Sequence, residues 1–388
     1  MIGIRTTTGQ LRAAIPWQTP RGLGLDRVPV GFDAHTRAAF CFDPFVAYQQ
    51  GIVTDPVMLV LGSKGSGKST LVKSLAVRMA AHQYLIRHID PKGESAPLAE
   101  YFGTEPIRPG AVVVNPFDGL AMVERGRVAV ALAAAALNRP LTPVERAAVG
   151  AAATAEMVMT LETLVDRLCQ PDDLPSPIPV DGGDVRELVA GLHELAQSKA
   201  GQMMFGESTV TVDASSPYLA VDLSGHDDDT LRVLMVAVTG WLTGLWSGDD
   251  RLRPKLVVMD EFWRLLSDRA TAEWAKYAFK MSREHGAAYI AVLQHLGDLR
   301  SVDADTRAIA LGLLADSETR IIYRQPPDQA GALAELLGLT DEETDVVQRL
   351  APGHALWRVG GRSFVVEHVL TDIERPIVDT NQAMGGRR

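Results

Sequence analysis

The stretch Val57-Met58-Leu59-Val60-Leu61-Gly62-Ser63-Lys64-Gly65-Ser66-Gly67-Lys68-Ser69-Thr70 decides how the chain is read. Its first five residues are apolar without interruption, the pattern of a strand buried on both faces of a parallel sheet. After it, Leu71, Ser74, Leu75 and Met79 recur at helical spacing. The glycine-rich segment therefore stands where a buried strand turns into a helix, the setting that makes G-x-x-x-x-G-K-[ST] a phosphate loop. Gly62, Ser63, Lys64, Gly65, Ser66, Gly67, Lys68, Ser69 and Thr70 are the candidate nucleotide-binding residues. Glycines let backbone N–H groups curl round a phosphate chain, and the helix start adds partial positive charge. Lys68 would reach the β- and γ-phosphates, and Ser69 would offer a hydroxyl to Mg²⁺. The competing reading is a glycine-rich turn before an ordinary helix.

Working outward, Tyr84 to Ile89 reads as a second strand that delivers Asp90-Pro91-Lys92-Gly93-Glu94 at its C-terminal end, and Val112-Val113-Val114 as a short third one. Alternation of strands and helices at this spacing predicts a parallel, multiply wound α/β sheet, with ligands at the strand ends. Residues 1–50 form a β-rich lead, with Phe40-Cys41-Phe42 a strand ending in a turn at Asp43-Pro44, read as a hairpin covering the sheet edge.

From about 120 to 206 the pattern is helical. Thr142-Pro143-Val144-Glu145 is a capping box with proline at the first helical position. Val185, Leu188, Val189, Leu192 and Leu195 share a face, while Pro171-Asp172-Asp173-Leu174-Pro175-Ser176-Pro177 must be loop. We expect an α/β domain over 51–137 and 207–388, with an all-α insertion at 138–206 that is a lid, a subunit contact or a plain appendage. Near the end, Thr340 opens a capped helix, and Gly360-Gly361 joins two strands as a two-residue hairpin.

The second chemical element is Lys255-Leu256-Val257-Val258-Met259-Asp260-Glu261, an apolar strand ending in two carboxylates. Asp260 is the candidate Mg²⁺ ligand through its water shell, and Glu261 the candidate base for an attacking water. The plainer alternative is that the acids cap the next helix. Gln294 ends a further strand, where an amide either senses the γ-phosphate or is simply a polar strand end. Arg283 lies just before Gly286, in register with Lys276 and Lys280. Spacing alone favours a basic helix end facing solvent over an arginine finger. Asp90-Pro91-Lys92-Gly93 imitates the D-x-x-G element of GTPases, but the sequence holds no N-K-x-D guanine reader, and Asp260-Glu261 would have no task. ATP is the expected nucleotide. A small-molecule kinase suits the adjacent acids less well than water activation does.

Bulk properties narrow the class. The net charge of −10 argues against holding nucleic acid by bulk electrostatics. Cys41 and Cys169 show no metal spacing and predict reduced thiols. Met1-Ile2-Gly3-Ile4-Arg5 lacks a signal-peptide core, and the uncharged run Val233–Trp246 is too short to span a bilayer. A cytoplasmic protein is expected.

Taken together, these motifs resemble the conjugative-transfer ATPases of type IV secretion systems, the VirB-type or TraC-like motors of the HerA–FtsK superfamily. The resemblance runs from about Gly31 to Thr380 and rests on the phosphate loop, Asp90-Pro91-Lys92-Gly93-Glu94, Val258 to Leu266, Ser282-Arg283-Glu284-His285-Gly286 and Leu293-Gln294-His295. It also takes in Phe42-Asp43-Pro44, Asn115-Pro116 and Thr371 to Thr380. It implies a RecA-like P-loop fold with ATP and Mg²⁺ as ligands, metal held by Ser69 and Asp260, and Glu261 activating water. It further implies Gln294 as γ-phosphate sensor and Arg283 as a finger supplied in trans within a homo-hexameric ring. The partners implied are membrane-channel components of a transfer apparatus, at the inner face of the membrane. Nucleic acid in the ring pore would make the chain a DNA-translocating or coupling-type ATPase instead, which the acidic charge does not favour. A non-hydrolysing ATP-binding scaffold is the third reading. Members of this class usually carry a large N-terminal docking domain. With 61 residues before Gly62, we expect either a fragment or docking delegated to another protein.

Overall fold

The computed structural model describes residues 22–24, 27–154, 159–210, 212–246, 253–267, 269–294 and 302–378. The start Met1 to Arg5, His295 and the closing segment beyond Val378 lie outside them, as do parts of the lead and of the 138–206 stretch. The described strands are β1 (Pro29–Asp33), β2 (Ala39–Cys41), β3 (Val57–Leu61), β4 (Leu85–Asp90), β5 (Tyr218–Asp222), β6 (Lys255–Met259), β7 (Ala287–Leu293), β8 (Thr319–Ile322), β9 (His354–Val359) and β10 (Arg362–His368). The chain divides into two compact units, one built from residues 1–82 and 317–388, the other from residues 83–316.

In the first unit the strands run in the order β2-β1-β10-β9-β8-β3. β3 and β8 pair in parallel, Leu61 opposite Ile322, and the remaining pairs are antiparallel. Every residue of β3 is buried, as an uninterrupted apolar run requires. β9 and β10 form the expected hairpin, with Val359 opposite Arg362 across Gly360-Gly361. The lead covers the edge of β10 as a hairpin, by adding strands to it. β1 pairs in-plane with β10, and β2 with β1, so it lengthens the sheet. Asp43 does not close a turn. Its Oδ1 accepts the N–H groups of Phe45 and Val46 and starts a helix, Pro44–Gln49, with proline at a position that needs no donor. Phe40 and Phe42 pack edge-on against Trp357 and seal this end of the core.

The second unit is a parallel sheet, β7-β6-β4-β5. All its strand residues are buried. The helix Asp228–Gly244 packs on β4, and the helix Met122–Leu137 packs in turn on that helix. Within 138–206 the described elements are helical, including Pro143–Ala153, Leu161–Leu168 and Arg186–Gln197. Thr142 and Glu145 close the expected capping box, Thr142 Oγ1 accepting from the Glu145 N–H at 3.2 Å. The third strand expected at Val112–Val114 is not formed. Its backbone groups bond instead to Thr209 and Met203, in the loops around the helix Lys199–Gln202, because Ile107 takes the place beside β5 as an isolated bridge. No described helix is long and apolar enough to cross a membrane.

Candidate functional site

In the first unit the backbone leaves β3 at Leu61, whose carbonyl accepts the Tyr323 N–H at 2.8 Å, and turns through Gly62–Gly67 into the helix Lys68–Ala81. Gly67 sits at φ 108°, a conformation that L side chains rarely adopt. At Gly62 a Cβ would fall 2.6 Å from Tyr323 Cβ and 2.7 Å from Ser66 Oγ, so the loop is closed down on space that only glycine leaves. The helix start has no side-chain cap and no acid in its first turn. Its N–H groups and dipole therefore meet an external anion without an internal competitor. Lys68 is 6% exposed, and its ammonium donates to the carbonyls of Gly62 and of Ser63, the latter at 2.9 Å. Ser66 Oγ is buried and, among the described residues, has no hydrogen-bond partner. A polyphosphate fits this cradle: it accepts from amides, a hydroxyl and an ammonium, all present with nothing negative among them. Ser69, half-buried one residue on, adds the hard oxygen that Mg²⁺ prefers.

In the second unit, β4 and β6 are neighbours with Ile89 opposite Met259, so Asp90 and Asp260 leave adjacent strands at the same end. Asp90 is occupied by its own turn. Its Oδ1 accepts the N–H groups of Lys92 and Gly93 at 3.0 Å each, and its Oδ2 that of Ser95 at 2.7 Å. Asp260 is buried with His88 beside it, Nε2 3.5 Å from Oδ2, while His88 Nδ1 meets the Tyr218 hydroxyl at 2.9 Å. Burial, with the charges of Asp90 and Asp260, lifts the Tyr218 phenol well above its ordinary pKa, so it stays protonated. His88, Asp90 and Asp260 bring their ligand atoms within 4.8 Å of one another. Asp90 gives three of its acceptor sites to its own turn and His88 one ring nitrogen to Tyr218, which makes Asp260 the first candidate of the three for a Mg²⁺ shell.

Glu261 stands at φ 51°, left-handed backbone that costs a non-glycine residue about 1 kcal/mol or more. It precedes the 3₁₀ turn Phe262–Leu266 without capping it, so the plainer role for these acids does not hold for Glu261. Its carboxylate instead collects donors: Lys92 Nζ at 2.6 Å and the Gln294 amide on Oε1, and the Trp263 indole N–H at 2.5 Å on Oε2. Burial alone would lower the Lys92 pKa, yet its bond to Glu261 and the charges of Asp260, Glu261 and Glu94 outweigh that and raise it, so the ammonium is secure.

Comparison with solved structures places this architecture. VirB4 of Thermoanaerobacter pseudethanolicus superposes with a TM-score of 0.73 at 18% identity, over 92% of this chain and 100% of that one. The plasmid coupling protein TrwB in complex with ADP and Mg²⁺ superposes at 0.59 and 16% identity, over 95% and 93%. The fold is the RecA-like P-loop ATPase fold. No protein-family model matches the sequence, and no curated protein does either.

Within that fold the expected residues are distributed as follows. The nine loop residues form one turn-and-helix cradle in the first unit. Asp260, Glu261 and Gln294 gather at the C-terminal ends of β6 and β7, with Gln294 bonded to Glu261. Arg283 is apart from them. The helix Arg269–Lys280 ends before it, and Arg283 is exposed in the turn that leads to β7, its carbonyl accepting the Gly286 N–H. Sequence reading missed His88 and Trp263 and found no task for Lys92. A charged residue in the run Leu85-Ile86-Arg87-His88-Ile89 was the available signal for His88, but only the β4–β6 register says which acid it faces.

Proposed function

We propose that this chain is an ATP-hydrolysing motor that energises conjugative or type IV secretion, in pilus assembly or substrate transfer, and that it works as a homo-hexameric ring docked on membrane-channel components at the inner face of the membrane. The observation that carries the ATPase reading is the uncapped, acid-free helix start behind a loop that only glycine can make. The motor reading is supported by the shared fold with VirB4 and TrwB, the second solved with ADP and Mg²⁺ and with a non-hydrolysable ATP analogue.

Lys68 and the loop amides hold the phosphates, and Ser69 and Asp260 hold Mg²⁺. Bound Mg²⁺ neutralises charge that develops on the phosphoryl oxygens. Glu261 accepts the proton of the attacking water as its oxygen bonds to the γ-phosphorus and the bond to the β-phosphate oxygen breaks, releasing ADP and phosphate. Gln294 orients Glu261 and reads the γ-phosphate, and Arg283 is delivered to a neighbouring subunit. The 138–206 helices form a lid or subunit contact.

Lys68→Ala should abolish ATP turnover with the thermal transition retained, because loop burial of one lysine contributes little to the core. Glu261→Gln should bind ATP and lose turnover by about a hundredfold or more. Normal turnover in Lys68→Ala would sink the assignment, and turnover in Glu261→Gln equal to the parent would favour a scaffold. The likeness to a coupling protein supports a second reading, a DNA translocase. Turnover stimulated by DNA and falling steeply with salt would select it.

A further inference from the structure

Glu261 is held more tightly than a waiting base needs to be. A carboxylate has about four lone-pair sites. Among the described residues Oε1 receives two donors, Lys92 and Gln294, and Oε2 receives Trp263, which leaves one site on Oε2. Two of these donors are neutral, and they suffice to fix the carboxylate's plane. The third is an ammonium at 2.6 Å, which fixes nothing further and withdraws the negative charge that proton abstraction requires. We infer that Lys92 is a latch on the base: while its ammonium is paired with Glu261, hydrolysis is suppressed, and turnover requires the pair to part. The inference rests on Glu261 acting as the base.

The surroundings allow the latch to open without refolding. The turn that carries Lys92 is pinned by Asp90 through three backbone N–H groups, so only the lysine side chain has to move. The Lys92 side chain keeps 27% of its surface open to solvent, so its ammonium can leave by rotation of the side chain alone. A second carboxylate, Glu94, stands two residues on in the chain, and its charge acts on the ammonium. A purely structural salt bridge at this place would act on stability and not on rate. The two roles therefore separate in kinetics.

The test uses the full chain and compares steady-state ATP turnover of the parent, Lys92→Gln, Lys92→Arg, Glu261→Gln and the Lys92→Gln/Glu261→Gln double variant, with ATP affinity measured by calorimetry. Lys92→Gln should raise kcat about twofold to fivefold, as much as an ion pair of modest strength supplies, with little change in ATP affinity. Lys92→Arg grips a carboxylate with a planar fork and should turn over more slowly than the parent, giving the order Gln, Lys, Arg. The gain should vanish in the Glu261→Gln background. An unchanged or reduced kcat in folded Lys92→Gln, a reversed order, or a gain that persists without Glu261 overturns the latch. If Lys92→Gln does not fold, Lys92→Arg against the parent decides, a rate equal to or above the parent's counting against the latch. Parent-like turnover in Glu261→Gln alone marks failure of the base assignment instead, and the latch falls with it.

Discussion

At the residue scale, two positive-φ backbone conformations, at Gly67 and Glu261, stand at the proposed site. Gly67 turns the phosphate loop into its helix at φ 108°, with a Cβ there 3.2 Å from the Tyr323 ring. Gly67→Ala therefore meets both backbone strain and a crowded neighbour that is itself buried. Its ATP affinity should fall by about tenfold or more, in line with the 1–2 kcal/mol that the left-handed conformation costs an alanine. A fluorescent-nucleotide titration on protein with a native circular dichroism spectrum measures this, and parent-like affinity would refute the cradle. Glu261 is the opposite case, a residue with a side chain in left-handed backbone. Strain of this kind persists where its surroundings over-determine it. Trp263 and Gln294 supply that restraint.

At the scale of elements, the helix after the phosphate loop is tied down at its far end by an ionic cluster. Arg78 donates to both oxygens of Glu374 and to the carbonyls of Pro29, Val30 and Val369, and Ser74 donates to Glu374. Burial pulls the Glu374 pKa up, but bonds from Arg78, Thr371 and Ser74 prevail and hold it down at about 2. Burial, with the Arg78 charge, pushes His368 down to about 4 against the opposing pull of Glu374. Both groups bind protons more weakly folded than unfolded, so both contribute stability that is present at high pH and lost on acidification. The His368 part is lost between its ordinary 6.5 and about 4, and the Glu374 part between its ordinary 4.5 and about 2. The thermal midpoint should fall as pH drops below about 6.5, and His368→Gln should flatten the limb between 6.5 and 4. A midpoint independent of pH over that limb in the parent would contradict the assignment.

At the scale of the whole molecule, the exposed Arg283 is the residue whose proposed role needs a second copy. Arg283→Ala should leave ATP affinity intact and cut turnover only at protein concentrations where the chain assembles, because an arginine finger acts across a subunit boundary. Turnover measured against concentration, alongside light scattering, tests this. Equal loss in a dilute monomer would sink the in-trans role. The same dilution series, run with DNA and salt, separates the transfer motor from the translocase, whose affinity for a polyanion must overcome a net charge of −10.

The phosphate loop, both capping boxes, the Gly360-Gly361 hairpin and the acid-terminated strand β6 were legible from residue order, because each depends on neighbours a few positions apart. Glycine spacing, an apolar run and a cap are local physics, and local physics is written along the chain. The missing strand at Val112–Val114 and the in-plane pairing of the lead were not legible. They depend on which distant backbone groups compete for the same hydrogen bonds. Likewise, no spacing rule connects Lys92 or His88 to residues some 170 positions away. The parallel register of β4 beside β6 alone sets His88 against Asp260 and Lys92 against Glu261. Thus the chain's order sufficed to propose groups for phosphate, metal and water, while the fold alone decided which donors lie against Glu261, since a hydrogen bond is fixed by distance in space and not by separation in sequence.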